Sequence, residues 1–332
     1  MKRSLFATSR ATVLVTGALL MLAIGQAVAG DSFAATGVVG ALVINVSNLT
    51  AIYQGFKTAF KGAFSGVTPD WQKVATLVPS TTAIENYGWL GSWPQLREWI
   101  GDRQIKSLQA FGYSVTNKKF ESSIGVSRDS IEDDTYGVFG NMFSEMGYAA
   151  ATHPDSLVFP LLAAGNSTLC YDGQYFFDTD HPVGSGTVSN WGGGSGTAWY
   201  FLETRRPLKP VIFQKRREYD FKAMTSMEDE GVFMRDEYRY GVDARCNVGF
   251  GLWQMAYGSK QTLDETNFEA ACIALTSVKD DEGRPLGLRG NLLVVPASLE
   301  KAALKLVKSQ YLASGADNPY YGRAEVLVSA YL

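Results

Sequence analysis

Histidine is almost missing from this chain: of 332 residues only His153 and His181 carry an imidazole. A metal centre or proton relay built on several histidines is excluded by that count alone. Cysteine is scarce too. Cys170, Cys246 and Cys272 are odd in number, far apart and without C-x-x-C spacing, so they read as buried reduced thiols rather than zinc or redox ligands. Charged residues make up 19% against 46% hydrophobic, which excludes a disordered chain. The net charge of −3 leaves no basic excess to neutralise a row of phosphates, which argues against a nucleic-acid reader. With 34 glycines against 11 prolines, the composition suits many turns and strand ends rather than a helical bundle. No nucleophile elbow, phosphate-binding loop or dinucleotide fingerprint sits at the predicted strand ends.

Long apolar runs are missing as well, with one exception. Lys2, Arg3 and Arg10 precede "ATVLVTGALLMLAIGQAVAG", which ends in Ala27-Val28-Ala29 before Gly30, the three-part pattern of a secretory signal. Its apolar core, Ala11 to Ile24, is shorter than the roughly 20 residues that span a bilayer, so no membrane anchor is expected. An upstream extension outside the folded body is preferred to true export.

What is present reads as a mixture of α and β. Leu49, Ile52, Phe56, Phe60 and Phe64 recur at spacings of three and four, predicting an amphipathic helix capped by Ser47 or Asn48 and weakened by Gly62 and Gly66. Its apolar stripe needs a partner, on its own body or on another subunit. "YGWLGSWPQLREWIGDR" then gathers Trp89, Trp93 and Trp99 with Arg97 and Arg103; a sugar- or base-stacking platform is possible in composition, and packing is the simpler reading. Residues 103–126 predict a two-stranded hairpin turning near Phe111 to Tyr113. Its polar faces suit an arm across a neighbour, with a tip, Gln109 to Val115, that the fold can spare.

A long helix is predicted from Asp129 or Ser130, with Glu132, Asp133 and Asp134 in its first turn and Val138, Phe139, Met142, Phe143 and Met146 on one face. Gly137, Gly140 and Gly147 weaken it, so tertiary packing must hold it, while Pro154 and Pro160 bend or restart it up to Gly165. "GSGTVSNWGGGSG" reads as a flexible loop. Long strands follow from Ala198 to Lys260, with a basic cluster at Lys215, Arg216 and Arg217 read as a solvated or intersubunit face. The C-terminal segment reads as a helix–strand–helix α/β unit.

One stretch invites a chemical reading. "YDGQYFFDTDHP" places Asp178 and Asp180 two residues apart, on one face of an extended strand, beside His181. Metal ligation or acid–base work is the sharp reading, and an exported hydrolase or carbohydrate-binding protein would use these three residues. Against it, Asp172-Gly173 is a type I′ hairpin signal, Pro182 holds His181 extended, and neither a second histidine nor a carboxylate ladder accompanies them. The site residues are therefore expected to be architectural, with no catalytic, cofactor-binding or metal residue.

Taken in order, "YGWLGSWPQLREWIGDR", "SRDSIEDDTYGVFGNMFSEMG", "CYDGQYFFDTDHPV", "RPLKPVIFQKRR", "YGVDARCNVGFGLWQMA" and "LVVPASLEKAA" resemble the major head subunit, or major capsid protein, of Mu-like bacteriophages and prophages. The resemblance spans about residues 41–332. It implies an α+β fold of the Hong Kong 97 type, with an N-terminal arm at 41–86, an extended β-hairpin loop region at 87–128, a peripheral domain with a spine helix at 129–258, and an axial α/β domain at 259–332. Residues 1–40 fall outside it. The implied function is self-assembly, without enzymatic activity or cofactor, into pentamers and hexamers of an icosahedral shell around double-stranded DNA. Portal, scaffold or protease, and decoration proteins are the implied partners, no membrane is involved, and assembly takes place in the host bacterial cytoplasm. Relatives of this fold can form lysine–asparagine crosslinks; the matched motifs do not extend that to Asn117, Lys118 or Lys119.

Overall fold

The computed structural model describes residues 46–88, 90, 112–133, 137–226, 228–312 and 314–332, all within the unit Val43–Leu332. The signal-like segment, the tryptophans Trp89, Trp93 and Trp99, and residues 103–111 of the predicted hairpin lie outside the described residues. In chain order the elements are α1 (Val46–Gly66), α2 (Trp71–Val74), β1 (Ala75–Pro79), β2 (Ile84–Asn86), β3 (Ser114–Thr116), β4 (Lys118–Ser127), α3 (Arg128–Glu132), α4 (Val138–Thr152) and α5 (Asp155–Ala163). There follow β5 (His181–Val183), β6 (Gly186–Val188), β7 (Trp199–Leu202), β8 (Val211–Met224), α6 (Glu230–Arg235), β9 (Glu237–Phe250), β10 (Ala256–Ser259), α7 (Glu265–Ser277), β11 (Leu292–Pro296), α8 (Glu300–Lys308) and β12 (Glu325–Ser329).

The first sheet has the order β1-β8-β9-β4. Alternate residues of β9 are buried, Tyr238, Tyr240 and Val242 among them, and this face meets α1 and α4. The predicted stripe of α1 is real and finds its partner within the same chain. Phe56 packs on Phe143 at 4.4 Å between ring centres and Phe60 on Phe221 at 5.1 Å, so the helix docks on its own body. Ser47 and Asn48 lie within α1 rather than at its cap.

The helical run after Asp129 is divided. Ser127, not Asp129 or Ser130, caps α3, its Oγ accepting from the Ser130 N–H at 3.2 Å. Gly137, in left-handed conformation at φ 66°, then starts α4 afresh, so Glu132 and Asp133 precede that helix instead of charging its first turn. His153 and Pro154 separate α4 from α5, as Pro154 predicted, whereas Pro160 lies inside α5 without ending it.

The hairpin expectation is corrected where it can be seen. β4 pairs with β9 over Lys118–Ser127 against Glu237–Cys246, and β3 pairs with β2. β4 is thus an edge strand with exposed residues on both faces, which accounts for its polarity. Val115 is buried and the Tyr113 hydroxyl accepts from the Phe250 N–H at 2.7 Å, so this end of the supposed tip belongs to the core.

The second sheet has the order β10-β7-β11-β12, with α7 and α8 on one face and the central core on the other. Its strands β7, β10 and β11 are buried throughout, as a sheet covered on both faces requires. Two of them come from upstream of residue 259, so a boundary after 258 would cut β10. The glycine-rich stretch is ordered rather than loose: β5 and β6 form a hairpin, and the Gly192 and Gly196 N–H groups donate to Gly258 and Lys260. Gly194, at φ 95°, has no room for a Cβ against the Lys260 backbone.

Candidate functional site

The candidate site is built on a turn. The Cys170 N–H donates to the Gln174 carbonyl at 2.8 Å and the Gly173 N–H to the Cys170 carbonyl at 3.3 Å. Gly173 has φ 87° while Asp172 has no positive φ, so the turn is a glycine-bulged loop and not the type I′ turn expected. The turn points Asp172 inward. One of its oxygens, Oδ1, accepts from the Gln174 N–H at 3.1 Å and from the Cys170 thiol at 3.0 Å.

His181 opens β5 and is fully buried. Its Nδ1 lies 2.8 Å from Asp172 Oδ2 and its Nε2 lies 3.2 Å from Asn190 Oδ1. The Asn190 amide donates through Nδ2 to the carbonyls of Phe176 and Trp253, at 2.8 and 3.3 Å, which fixes Oδ1 as the acceptor. Both ring nitrogens of His181 therefore face oxygen atoms of neighbouring side chains. The His181 ring lies flat on Trp253, 3.9 Å between ring centres and 9° between planes, a stacked arrangement. Burial pushes the Asp172 carboxyl up, but the bonds from His181, Cys170 and Gln174 outweigh it and hold it below the usual carboxylate range. Burial and the neighbouring Asp172 charge push the Cys170 thiol up.

The three residues singled out in sequence do not converge. Asp178 accepts from the Tyr175 and Thr179 N–H groups at 3.2 and 2.7 Å, a turn-capping role. Asp180 is exposed, and His181 turns away from both. Its true partner, Asp172, is the residue that sequence reasoning spent on a turn signal. A signal existed, since the Asp-Gly turn and His181 flank one short aromatic segment. His153 sits elsewhere, its Nδ1 2.6 Å from the Tyr219 hydroxyl, and burial holds its pKa low. In the basic cluster Lys215 pairs with Glu218 at 2.6 Å, Arg217 pairs with Asp243, and Arg216 is exposed. All three cysteines are free; Cys170 and Cys246 are buried as expected, but Cys272 is only half-buried.

Ligand atoms of Cys170, Asp172 and His181 lie within 4.8 Å of one another, the one such trio among the described residues. Each already has a hydrogen-bond partner inside the protein: the thiol binds Asp172, Asp172 binds His181, and His181 binds Asn190. A nucleophile would also need access and a base. Cys170 is buried and has Asp172 rather than His181 beside it. One hollow of about 570 Å³ lies between Phe64, Trp71 and Tyr219, and another of about 280 Å³ lies between Val183 and Asp281. The geometry suits a structural clamp joining the 170–174 turn, β5 and Trp253, and it does not bring Asp178, Asp180 and His181 together into one site.

The comparisons with known proteins agree with one another. The Mu-like prophage major head subunit gpT family matches residues 49–332. The Mu-like prophage FluMu major head subunit of Haemophilus influenzae is 43% identical over 272 residues, covering 78% of this chain and 88% of that protein. The major capsid protein of Escherichia phage Mu is 38% identical over 305 residues, covering 88% of this chain and all 100% of that protein. Among solved structures, the procapsid subunit of bacteriophage JBD30 is 51% identical at a TM-score of 0.79, covering 87% of this chain and 100% of that one. The JBD30 capsid subunit aligns at a TM-score of 0.70 and 38% identity, over 87% and 99% of the two chains. An inward-turned polar clamp on an α+β capsid fold, matched along nearly its whole length, has one reading: the chain belongs to the Mu-like prophage major head subunit family and is the major capsid protein of a Mu-like phage.

Proposed function

We propose that copies of this chain assemble into pentamers and hexamers of an icosahedral shell that encloses double-stranded DNA, in the cytoplasm of the host bacterium, and that the protein performs no catalysis. The observation that carries this is the alignment to the full length of a procapsid subunit. Residues 41–86 act as the arm, 87–128 as the extended loop region, 129–258 as the peripheral domain and 259–332 as the axial domain. The last of these borrows β7 and β10 for its sheet.

A JBD30 capsid has been solved decorated with minor capsid protein trimers, which supports a decoration protein as one partner here, beside portal and scaffold or protease. The net charge of −3 fits a lumen that releases its DNA, since many phosphate contacts would hold it. The test is to express the chain alone and with its neighbouring head genes, and to examine the product by sedimentation and electron microscopy. Closed shells are expected, also from a chain lacking residues 1–40, because the family match begins at residue 49. A product that stays a monomer or small oligomer under both conditions overturns the reading.

A further inference from the structure

The connection between β8 and β9 carries a surface that the monomer leaves uncovered. Phe233 is 82% exposed, Met234 69% and Met224 52%. Single exposed apolar residues need no explanation, but a phenylalanine and a methionine adjacent on one short helix form a patch.

This patch is held in place. Gly231 and Val232 of α6 are buried, Val232 in the same core as Ile131, Phe143 and Tyr238. The Phe233 N–H donates to the Asp229 carbonyl and the Asp236 N–H to the Val232 carbonyl, each at 3.0 Å. Asp236 closes the helix in left-handed conformation at φ 52°. With one side of α6 anchored, Phe233 and Met234 are presented outward on a fixed support, so little ordering is needed when they meet a partner.

The charges around the patch say which partner. Glu228, Glu230 and Arg235 are exposed beside it, and none of the three makes an ion pair among the described residues. A nucleic acid or an anionic membrane surface would select cations without acids. An apolar centre rimmed by unpaired charges of both signs is instead complementary to another copy of itself, its acids meeting Arg235 of the neighbour.

We infer that the Phe233–Met234 patch, with Glu228, Glu230 and Arg235 around it, is a contact between neighbouring copies of this chain. The inference rests on the shell-assembly reading above. One such contact is small. Repeated at every subunit, it adds up across a shell.

The test uses the full chain in shells formed from it alone. In unassembled subunits, Phe233→Ser with Met234→Ser is expected to leave the melting temperature unchanged, since neither side chain is in the core. The yield of sedimenting shells is expected to fall by about tenfold or more. A second variant, Met234→Cys, reports on the surface without removing Phe233. Its maleimide labelling, located by mass spectrometry, is expected to be at least about tenfold slower in shells than in free subunits, as for a residue enclosed by an interface. Wild-type chains that form no shells, either alone or with the neighbouring head genes, overturn the assembly reading itself. Wild-type shells accompanied by a normal yield of the double-serine variant, or by equal labelling at position 234 in shells and free subunits, overturn this inference alone. Protection that arises only when a second protein or DNA is added overturns it equally.

Discussion

His181 and Asp172 form an ion pair inside the protein, Nδ1 to Oδ2 at 2.8 Å, with side chains 0% and 4% exposed. A buried pair of this kind matters most when one half is removed, because the other is left buried without its partner. His181→Ala and Asp172→Ala are each expected to lower the stability of the unassembled subunit by about 3–5 kcal/mol. The double variant should cost clearly less than the sum of the two. Urea unfolding of the four proteins measures the coupling, and additive losses would contradict the pair.

The trio of Cys170, Asp172 and His181 is satisfied by its own hydrogen bonds. Dialysis against a strong chelator is therefore expected to leave the melting temperature unchanged, with no stoichiometric metal detected by elemental analysis. A metal lost together with stability in the His181→Ala variant would show instead that the trio is a ligand set.

Acid should weaken the fold in a defined window. Asp172 and Glu85 both have folded pKa values below their unfolded ones. For Glu85 the value falls to about 2, chiefly because its carboxylate accepts from the Thr82 and Thr81 N–H groups and the Ser80 hydroxyl. A depressed carboxylate contributes stability above its unfolded pKa of about 4, and that contribution disappears as pH falls through the folded value. The melting temperature should be level above about pH 5 and decline from about pH 4 toward pH 2. Glu85 lies at the surface, only half-buried, so Glu85→Gln should soften the decline only slightly.

Two glycines of α4 should respond oppositely to the same change. At Gly140 a Cβ meets nothing within 4 Å, so Gly140→Ala is expected to stabilise by about 0.5–1 kcal/mol through helix propensity. At Gly147 a Cβ would collide with the Phe60 carbonyl oxygen of α1 and press on Ala63. Gly147→Ala should therefore destabilise by about 1–3 kcal/mol despite the better propensity. Thermal melts of both variants check the sign at each position.

Deleting Gln109 to Val115 separates two views of the loop region. A spare tip would leave the subunit intact, but the deletion removes β3 residues, the buried Val115 and the Tyr113 hydroxyl bound to Phe250. A loss of several kcal/mol, on the scale of a large core truncation, is expected. Circular dichroism melting of the free subunit tests it, and an unchanged melting curve would restore the spare-tip view.

Local periodicity was enough to find the stripe of α1, the breaks around Pro154 and the helix–strand–helix character of the C-terminal segment, because spacings of three and four are set by the helix itself. Motifs in order along the chain carried the family. What the sequence could not contain was partner choice between distant segments. Nothing local in Lys118–Ser127 distinguishes half of a projecting hairpin from an edge strand on β9, more than 100 residues away, and nothing near 259 announces that β7 and β10 join the last sheet. Such pairings depend on which surfaces remain to be covered once the core has closed. His181 makes the point at the scale of one residue. The sequence set it beside Asp178 and Asp180, but the glycine-bulged turn at Gly173 brought Asp172 inward. Burial then demanded a donor or acceptor for each polar atom, and that demand, not proximity in sequence, chose Asp172, Asn190 and Trp253 as its surroundings.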